Sequence, residues 1–275
     1  MAESPAGRPG PTPTTAGRVG REERASVSRP PTPATAGRVG REERASVSRP
    51  PTLVIALHGT RRRRGTRFAE ALRRAVASRL PGVPVELGFV DIHDELLGET
   101  VQRFERSVIV PAFLAAGYHV AHDIVEAVEH SGGRAVATQH VGPELVHAIA
   151  DRLRAAGPPV DAVVLAAIGS RRLGATAEVL ATANRLSRIV GRPVQAGFIF
   201  ASEPSLPDAA AQLRAQGHRD LAVATHALGP GLYQDHIAAL GLRVVAEPIG
   251  IHPRLLDAIT SRYLAATGTT SQKVA

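Results

Sequence analysis

His58 and His119 each follow an apolar stretch, Leu53-Val-Ile-Ala-Leu57 for the first and a run opening Val108-Ile-Val-Pro111 for the second. A side chain just past the carboxyl end of a buried parallel strand lies in the crevice where open α/β sheets bind ligands. Two imidazoles placed there can share one metal ion. Neutral imidazole is a ligand of intermediate softness suited to divalent transition-metal ions, and a site with two or three protein ligands keeps coordination positions open. Asp91, just beyond the run Val83–Phe89, would compensate the cation's charge or orient an imidazole. The chain has no cysteine, so disulfides, thiolate metal sites and iron–sulfur clusters held by this chain are excluded.

The same residues have plainer uses. A histidine after a strand often serves as a hydrogen-bonded structural residue, and Asp91 could cap a helix or sit in a solvated loop. Two histidines at matching strand ends, with an acid between them in sequence, favour the joint reading. His93 and His122 are nearby candidates. His122 falls three residues after His119, on a similar helical face, which suits either a supporting contact or a cap. His252, before Pro253, has no partner that the sequence identifies.

Short β-branched runs must position these groups. They are Leu53–Leu57, Val83–Phe89, Ser107–Pro111, Arg134–Thr138, Asp161–Ala166, Pro193–Phe198, Leu221–Thr225 and Arg243–Ala246. Longer Ala/Leu/Arg/Glu stretches of helical period fill the intervals. One helix is expected after Gly117-Tyr118 and a last one over Pro253–Ala266. Such alternation predicts α/β architecture, parallel sheets joined by right-handed crossovers. Gly59, Gly117 and Gly169 suit tight strand-to-helix turns.

The chain also repeats itself. Leu57-His-Gly-Thr-Arg61 aligns with Ala167-Ile-Gly-Ser-Arg171, and Val85-Glu-Leu-Gly-Phe-Val90 with Val194-Gln-Ala-Gly-Phe-Ile199. Val110-Pro-Ala-Phe-Leu-Ala-Ala-Gly-Tyr-His119 aligns with Ala224-Thr-His-Ala-Leu-Gly-Pro-Gly-Leu-Tyr233. Two similar βα domains facing each other across a cleft follow, over residues 53–157 and 158–275. Ile168 stands for His58 and Tyr233 for His119, so one half keeps the chemistry and the other has lost it. Residues 1–52 form a separate segment in which residues 12–32 recur at 32–52 with one change, Thr14 to Ala34. Rich in Pro, Gly, Arg and Ser and without apolar periodicity, it is expected to be a disordered tail.

The 275 residues carry a net charge of +8, of which the tail's nine Arg against five Glu supply half. The remainder is diffuse. It argues for no nucleic-acid partner and is compatible with an anionic small molecule. No run reaches the length of a membrane span, and the polar N-terminus lacks a signal-peptide core, so a cytoplasmic protein with no membrane partner is expected. No G-x-G-x-x-G follows a strand, and neither a G-x-x-x-x-G-K-[ST] loop nor a Gly-x-Ser-x-Gly elbow is present. These absences lower the odds of a dinucleotide enzyme, a P-loop NTPase and an α/β-hydrolase.

Taken in order, His58-Gly59-Thr60-Arg61, Phe89-Val90-Asp91, Val110-Pro111, Ala116-Gly117-Tyr118-His119 and His122-Asp123-Ile124 resemble the sirohydrochlorin chelatase family. These are small ATP-independent chelatases that insert cobalt or ferrous iron into a tetrapyrrole. The family usually has His-Gly-Ser-Arg at the first motif and Phe-Leu-Glu at the second; Asp91 is one methylene shorter than that Glu. The resemblance spans roughly Leu53 to Ala266 and implies two chelatase-like domains. It also implies that His58 and His119 handle the metal, with Asp91 as the acidic residue beside it, acting directly or through water.

Metallation must strip water from the ion, present it to the ring and remove two pyrrolic protons; a histidine released from metal can accept one, its pKa lying near neutrality. Sirohydrochlorin carries eight carboxylates, so Arg61 and Arg62 in the loop after His58, with Arg171 in the matching loop, would bind it by charge-assisted bonds. Tyr118 joins them as a substrate contact. A solvated Arg-rich loop is the bland alternative. The expected reaction is Fe2+ insertion giving sirohaem, with Co2+ insertion on a cobalamin route as the alternative and no permanently bound cofactor. A tetrapyrrole or metal carrier without turnover, and nucleic-acid binding by the tail, are readings from other classes. Since short members of the family resemble one half and pair as dimers, two covalent halves point to a monomer with pseudo-two-fold symmetry.

Overall fold

The computed structural model describes residues 49–118, 122–231 and 233–268. The tail expected over residues 1–52 lies, up to residue 48, outside the described residues, as does His119. Among the described residues, eight strands form two parallel sheets. The first contains β1 (Thr52–Leu57), β2 (Val85–Phe89), β3 (Ser107–Pro111) and β4 (Ala135–Ala137) in the order β2-β1-β3-β4. The second repeats that order with β5 (Ala162–Ala167), β6 (Val194–Phe198), β7 (Leu221–Thr225) and β8 (Val244–Val245), as β6-β5-β7-β8. The strands expected to begin at Val83 and Pro193 begin instead at Val85 and Val194. Proline has no N–H for the ladder, although the carbonyls of Pro84 and Pro193 accept from Leu53 and Val163, each at 2.9 Å.

Helices α1 (Arg63–Ala77), α2 (Leu97–Gln102), α3 (Asp123–His130) and α4 (Val146–Ala156) belong by sequence to the first half. The second half contributes α5 (Leu173–Val190), α6 (Leu206–Ala215), α7 (Tyr233–Ala238) and α8 (Pro253–Thr267). Every residue of β1 and β5 is buried, because helices cover both faces of each sheet, as parallel sheets require. Successive side chains point to opposite faces. Leu53, Ile55 and Leu57 of β1 therefore enter one core together with Val163, Leu165 and Ala167 of β5. Val54 and Ala56 point the other way, to a smaller cluster with Leu97, Val101 and Ile124; Val164 and Ala166 do the same with Leu206 and Leu213.

The halves are joined through that shared core, and each lends the other its last helix. α4 packs on β7 and β8 of the second sheet, while α8 returns to β3 and α1. Polar bonds lock the exchange. Arg79, just past the end of α1, pairs with Asp257 of α8, the Tyr263 hydroxyl donates to the Pro51 carbonyl at 2.7 Å, and Arg152 of α4 donates to the Ile249 carbonyl at 2.8 Å. His252 also finds partners. Its Nδ1 accepts the Arg254 N–H at 3.2 Å as the N-cap of α8, and its Nε2 lies 3.6 Å from Asp151. Among the described residues, no helix is long and apolar enough to cross a membrane.

Candidate metal and tetrapyrrole site

The order β2-β1-β3-β4 puts a topological switch point between β1 and β3, since the chain leaves β1 toward one edge and later returns on its other side. Ligands of open α/β sheets bind at the carboxyl ends there. His58 follows β1 directly, and the segment from Ala112 to Tyr118 follows β3. That segment runs straight into His119.

Asp91 lies two residues beyond the end of β2, beside β1, because Leu57 is in register with Phe89. One of its carboxylate oxygens accepts the Gly59 N–H at 2.9 Å, and the other lies 3.4 Å from His58 Nδ1. The structure thus brings His58 and Asp91 together. A carboxylate on one ring nitrogen fixes the tautomer and orientation of an imidazole and raises the basicity of the other nitrogen. The edge of Phe113 meets the His58 ring, centroids 4.9 Å apart at 84°, and so fixes it from a second side. His58 remains about half exposed and Asp91 less so. Sequence reading missed Phe113; its signal was the one aromatic in the otherwise aliphatic stretch Val108–Ala116.

Gly59 makes this approach possible. A Cβ at that position would lie 1.8 Å from the Asp91 carbonyl oxygen. Tyr118 is 55% exposed and stacks on His122, centroids 4.8 Å apart. His122 occupies the N-cap position of α3 without a side-chain cap bond. His93 stacks on Phe89 at 4.1 Å and its Nδ1 accepts the Glu95 N–H at 3.2 Å. It is a structural residue of the β2 loop rather than a companion of His58. Among the described residues, no three His, Asp or Glu side chains gather to hold a metal.

Arg61 to Arg64 are exposed at the N-terminus of α1, and Arg171 and Arg172 at that of α5. The two loops are built alike, with Thr60 Oγ1 accepting the Arg62 N–H at 3.1 Å and Ser170 Oγ accepting the Arg172 N–H at 3.2 Å. Neither helix has an acidic residue in its first turn or a side-chain cap. Guanidiniums therefore crowd the positive ends of two helix dipoles, an arrangement that an anionic ligand relieves. The loop after β3 also approaches the loop after β5, for Ser170 Oγ lies 3.9 Å from where a Cβ on Gly117 would be.

In the second half the corresponding places are apolar. Ile168 follows β5 where His58 follows β1, and is 46% exposed. His226, one residue past β7, is buried, and desolvation holds its pKa down to about 4. It is a neutral core residue at all ordinary pH, with its backbone N–H on the Ala166 carbonyl at 2.8 Å.

The CbiX family model matches residues 52–156 and again 162–266. Among solved structures, SirB from Bacillus subtilis with Fe3+ superimposes with a TM-score of 0.68 at 20% identity, over 79% of this chain and 96% of that one. CbiX, described as the terminal enzyme for biosynthesis of siroheme in denitrifying bacteria, has a TM-score of 0.59 at 22% identity, over 78% and 99%. The SirB complex with cobalt, from Bacillus subtilis subspecies spizizenii, gives 0.65 at 16% identity, over 82% and 98%. No curated protein sequence matches the chain. With both halves matched by one family model and the duplicated fold shared with SirB and CbiX, the chain belongs to the CbiX family of sirohydrochlorin chelatases.

Proposed function

We propose that this chain inserts a divalent metal ion into sirohydrochlorin without ATP, with Fe2+ as the metal and sirohaem as the product. The observation that carries this reading is the His58–Asp91 couple, 3.4 Å apart at the carboxyl end of β1, in a chain whose two halves both match the CbiX model. Support for iron comes from neighbours described with Fe3+ and with siroheme biosynthesis. Co2+ is the competing ion, because imidazole and carboxylate accept either and SirB is also described with cobalt.

In this reading His58 and His119 grip the ion as substrate. An imidazole whose Nδ1–H is held by Asp91 offers Nε2 as its ligand atom. Asp91 acts through His58 and balances the cation's charge, a role its short side chain fills without reaching the metal. Few protein ligands keep binding weak enough for the ion to pass to the ring nitrogens. A histidine relieved of metal takes a pyrrolic proton. Arg61, Arg62 and Arg171 bind the carboxylates of the macrocycle, and Tyr118 contacts it from the loop before His119.

The test is direct. Purified full-length protein is incubated anaerobically with sirohydrochlorin and Fe2+ or Co2+, and the tetrapyrrole absorption is followed. Faster conversion with Fe2+ supports the reading, and faster conversion with Co2+ alone reassigns the metal. Stoichiometric binding without acceleration by either ion would make the protein a carrier and overturn the enzyme.

A further inference from the structure

The segment that delivers His119 is tied down by the opposite half of the molecule. Glu178, on α5, accepts the Ala116 N–H through Oε2 at 3.0 Å, and the same oxygen lies 3.2 Å from His140 Nε2. The His140 ring is 11% exposed, and its Nδ1 lies 3.2 Å from the Phe113 carbonyl and 3.3 Å from the Gly142 N–H. Gly142 presses so closely on Leu114 that a Cβ there would sit 2.0 Å from the Leu114 carbonyl oxygen. The loop holding His140 is itself gripped by the second half. Arg262 of α8 donates to the His140 carbonyl at 2.9 Å, and Arg185 of α5 to the Pro143 carbonyl at 2.6 Å.

The duplicated fold supplies an internal control. Counting from the matched N-caps Arg62 and Arg172, Glu178 corresponds to Phe68 of α1. Ala116 corresponds to Pro230, which has no N–H to donate. Phe68 meets the equivalent loop by apolar contact alone, 2.4 Å from where a Cβ on Gly229 would be. Donor and acceptor are thus present together on the side that leads to His119 and absent together on the side that leads to Tyr233. Packing needs an apolar contact at this place; the polar one serves something else.

We propose that Glu178 is a positioning residue for metal handling: reaching across from the second half, it fixes the Ala112–Tyr118 loop through the Ala116 N–H and His140, and so sets where His119 stands relative to His58. The proposal rests on the assignment of His58 and His119 as the metal-handling pair. It also gives the second half, which has Ile168 and Tyr233 in place of those two histidines, a part in the chemistry of the first.

The test uses full-length Glu178→Ala and Glu178→Gln, with circular dichroism to verify the fold. Three readouts are taken: hydrogen exchange of the 113–118 segment, Co2+ affinity from visible absorption, and kcat and KM for metal insertion. In Glu178→Ala, exchange in the segment rises, Co2+ affinity and kcat each fall about tenfold, and KM for sirohydrochlorin changes by less than about twofold. Glu178→Gln, whose amide oxygen can accept both bonds, restores most of each. Wild-type affinity and kcat in Glu178→Ala overturn the proposal, as does an equal loss in both variants. If the wild-type protein fails to metallate at all, the proposed function falls, while exchange and Co2+ affinity still decide the role of Glu178.

Discussion

Phe200 stands in the second half where Asp91 stands in the first: a Cβ on Gly169 would lie 1.8 Å from the Phe200 carbonyl oxygen, as one on Gly59 would from that of Asp91. Register agrees, since Ala167 pairs with Phe198 as Leu57 pairs with Phe89. The ring of Phe200 is about half exposed and meets His236 edge-on at 5.1 Å. Backbone geometry has been kept in both halves while the carboxylate and the imidazole survive in one. The first half presents an imidazole and a carboxylate; the second presents Ile168 and Phe200, two apolar side chains each about half exposed.

Close backbone approach makes Gly59 the least replaceable of these turn residues for activity. Gly59→Ala should cost about 1–3 kcal/mol of stability and displace Asp91, lowering the insertion rate per folded molecule. Gly169→Ala, at a φ of +92°, should lose comparable stability and less activity. Denaturant melts and initial rates on the same preparations separate the two effects.

Removing His58 or His119 should abolish insertion or reduce it by at least about a hundredfold, with tetrapyrrole binding retained. Asp91→Asn keeps the shape and an oxygen toward Gly59, but loses the charge beside His58, and should cost about tenfold. Sirohydrochlorin absorption reports all three. Full activity in the doubly substituted His58→Ala, His119→Ala protein would end the site assignment.

Substrate carboxylates bound by exposed guanidiniums should be sensitive to salt. Arg61→Ala, Arg62→Ala and Arg171→Ala should each raise KM for sirohydrochlorin about threefold and flatten its rise with ionic strength, with kcat nearly unchanged. Unaltered KM in the triple variant would return these residues to the role of a solvated loop.

Acid should destabilise the fold through His226. Its pKa is lowered from 6.5 to about 4 by burial. Above pH 6.5 the ring is neutral in both folded and unfolded chains and nothing is lost. Between 6.5 and 4 the unfolded chain takes up a proton that the folded one refuses, so stability falls with falling pH, by about 3 kcal/mol across that window. Urea unfolding at pH 7 and pH 4.5 should show a smaller drop for His226→Gln than for the wild-type chain.

Much of this molecule can be read residue by residue along the chain. Ser107–Pro111 and Leu221–Thr225 form strands at the expected boundaries, because short, largely apolar runs carrying β-branched residues are buried best in a parallel sheet covered on both faces. The duplication, the parallel sheets and the placing of His58 at a strand end follow from patterns a few residues long, which local sterics and burial dictate. Folding in three dimensions settled what those patterns leave open. His58 and Asp91 are 33 positions apart, and Ala116 and Glu178 are 62 apart. The contact of His252 with Asp151 and the exchange of α4 and α8 between the sheets are likewise remote in sequence. The first contact depends on β1 pairing with β2; the others depend on how two finished sheets pack through a shared core, and the side chains at the junction gain their hydrogen bonds only once that packing has brought the two halves together.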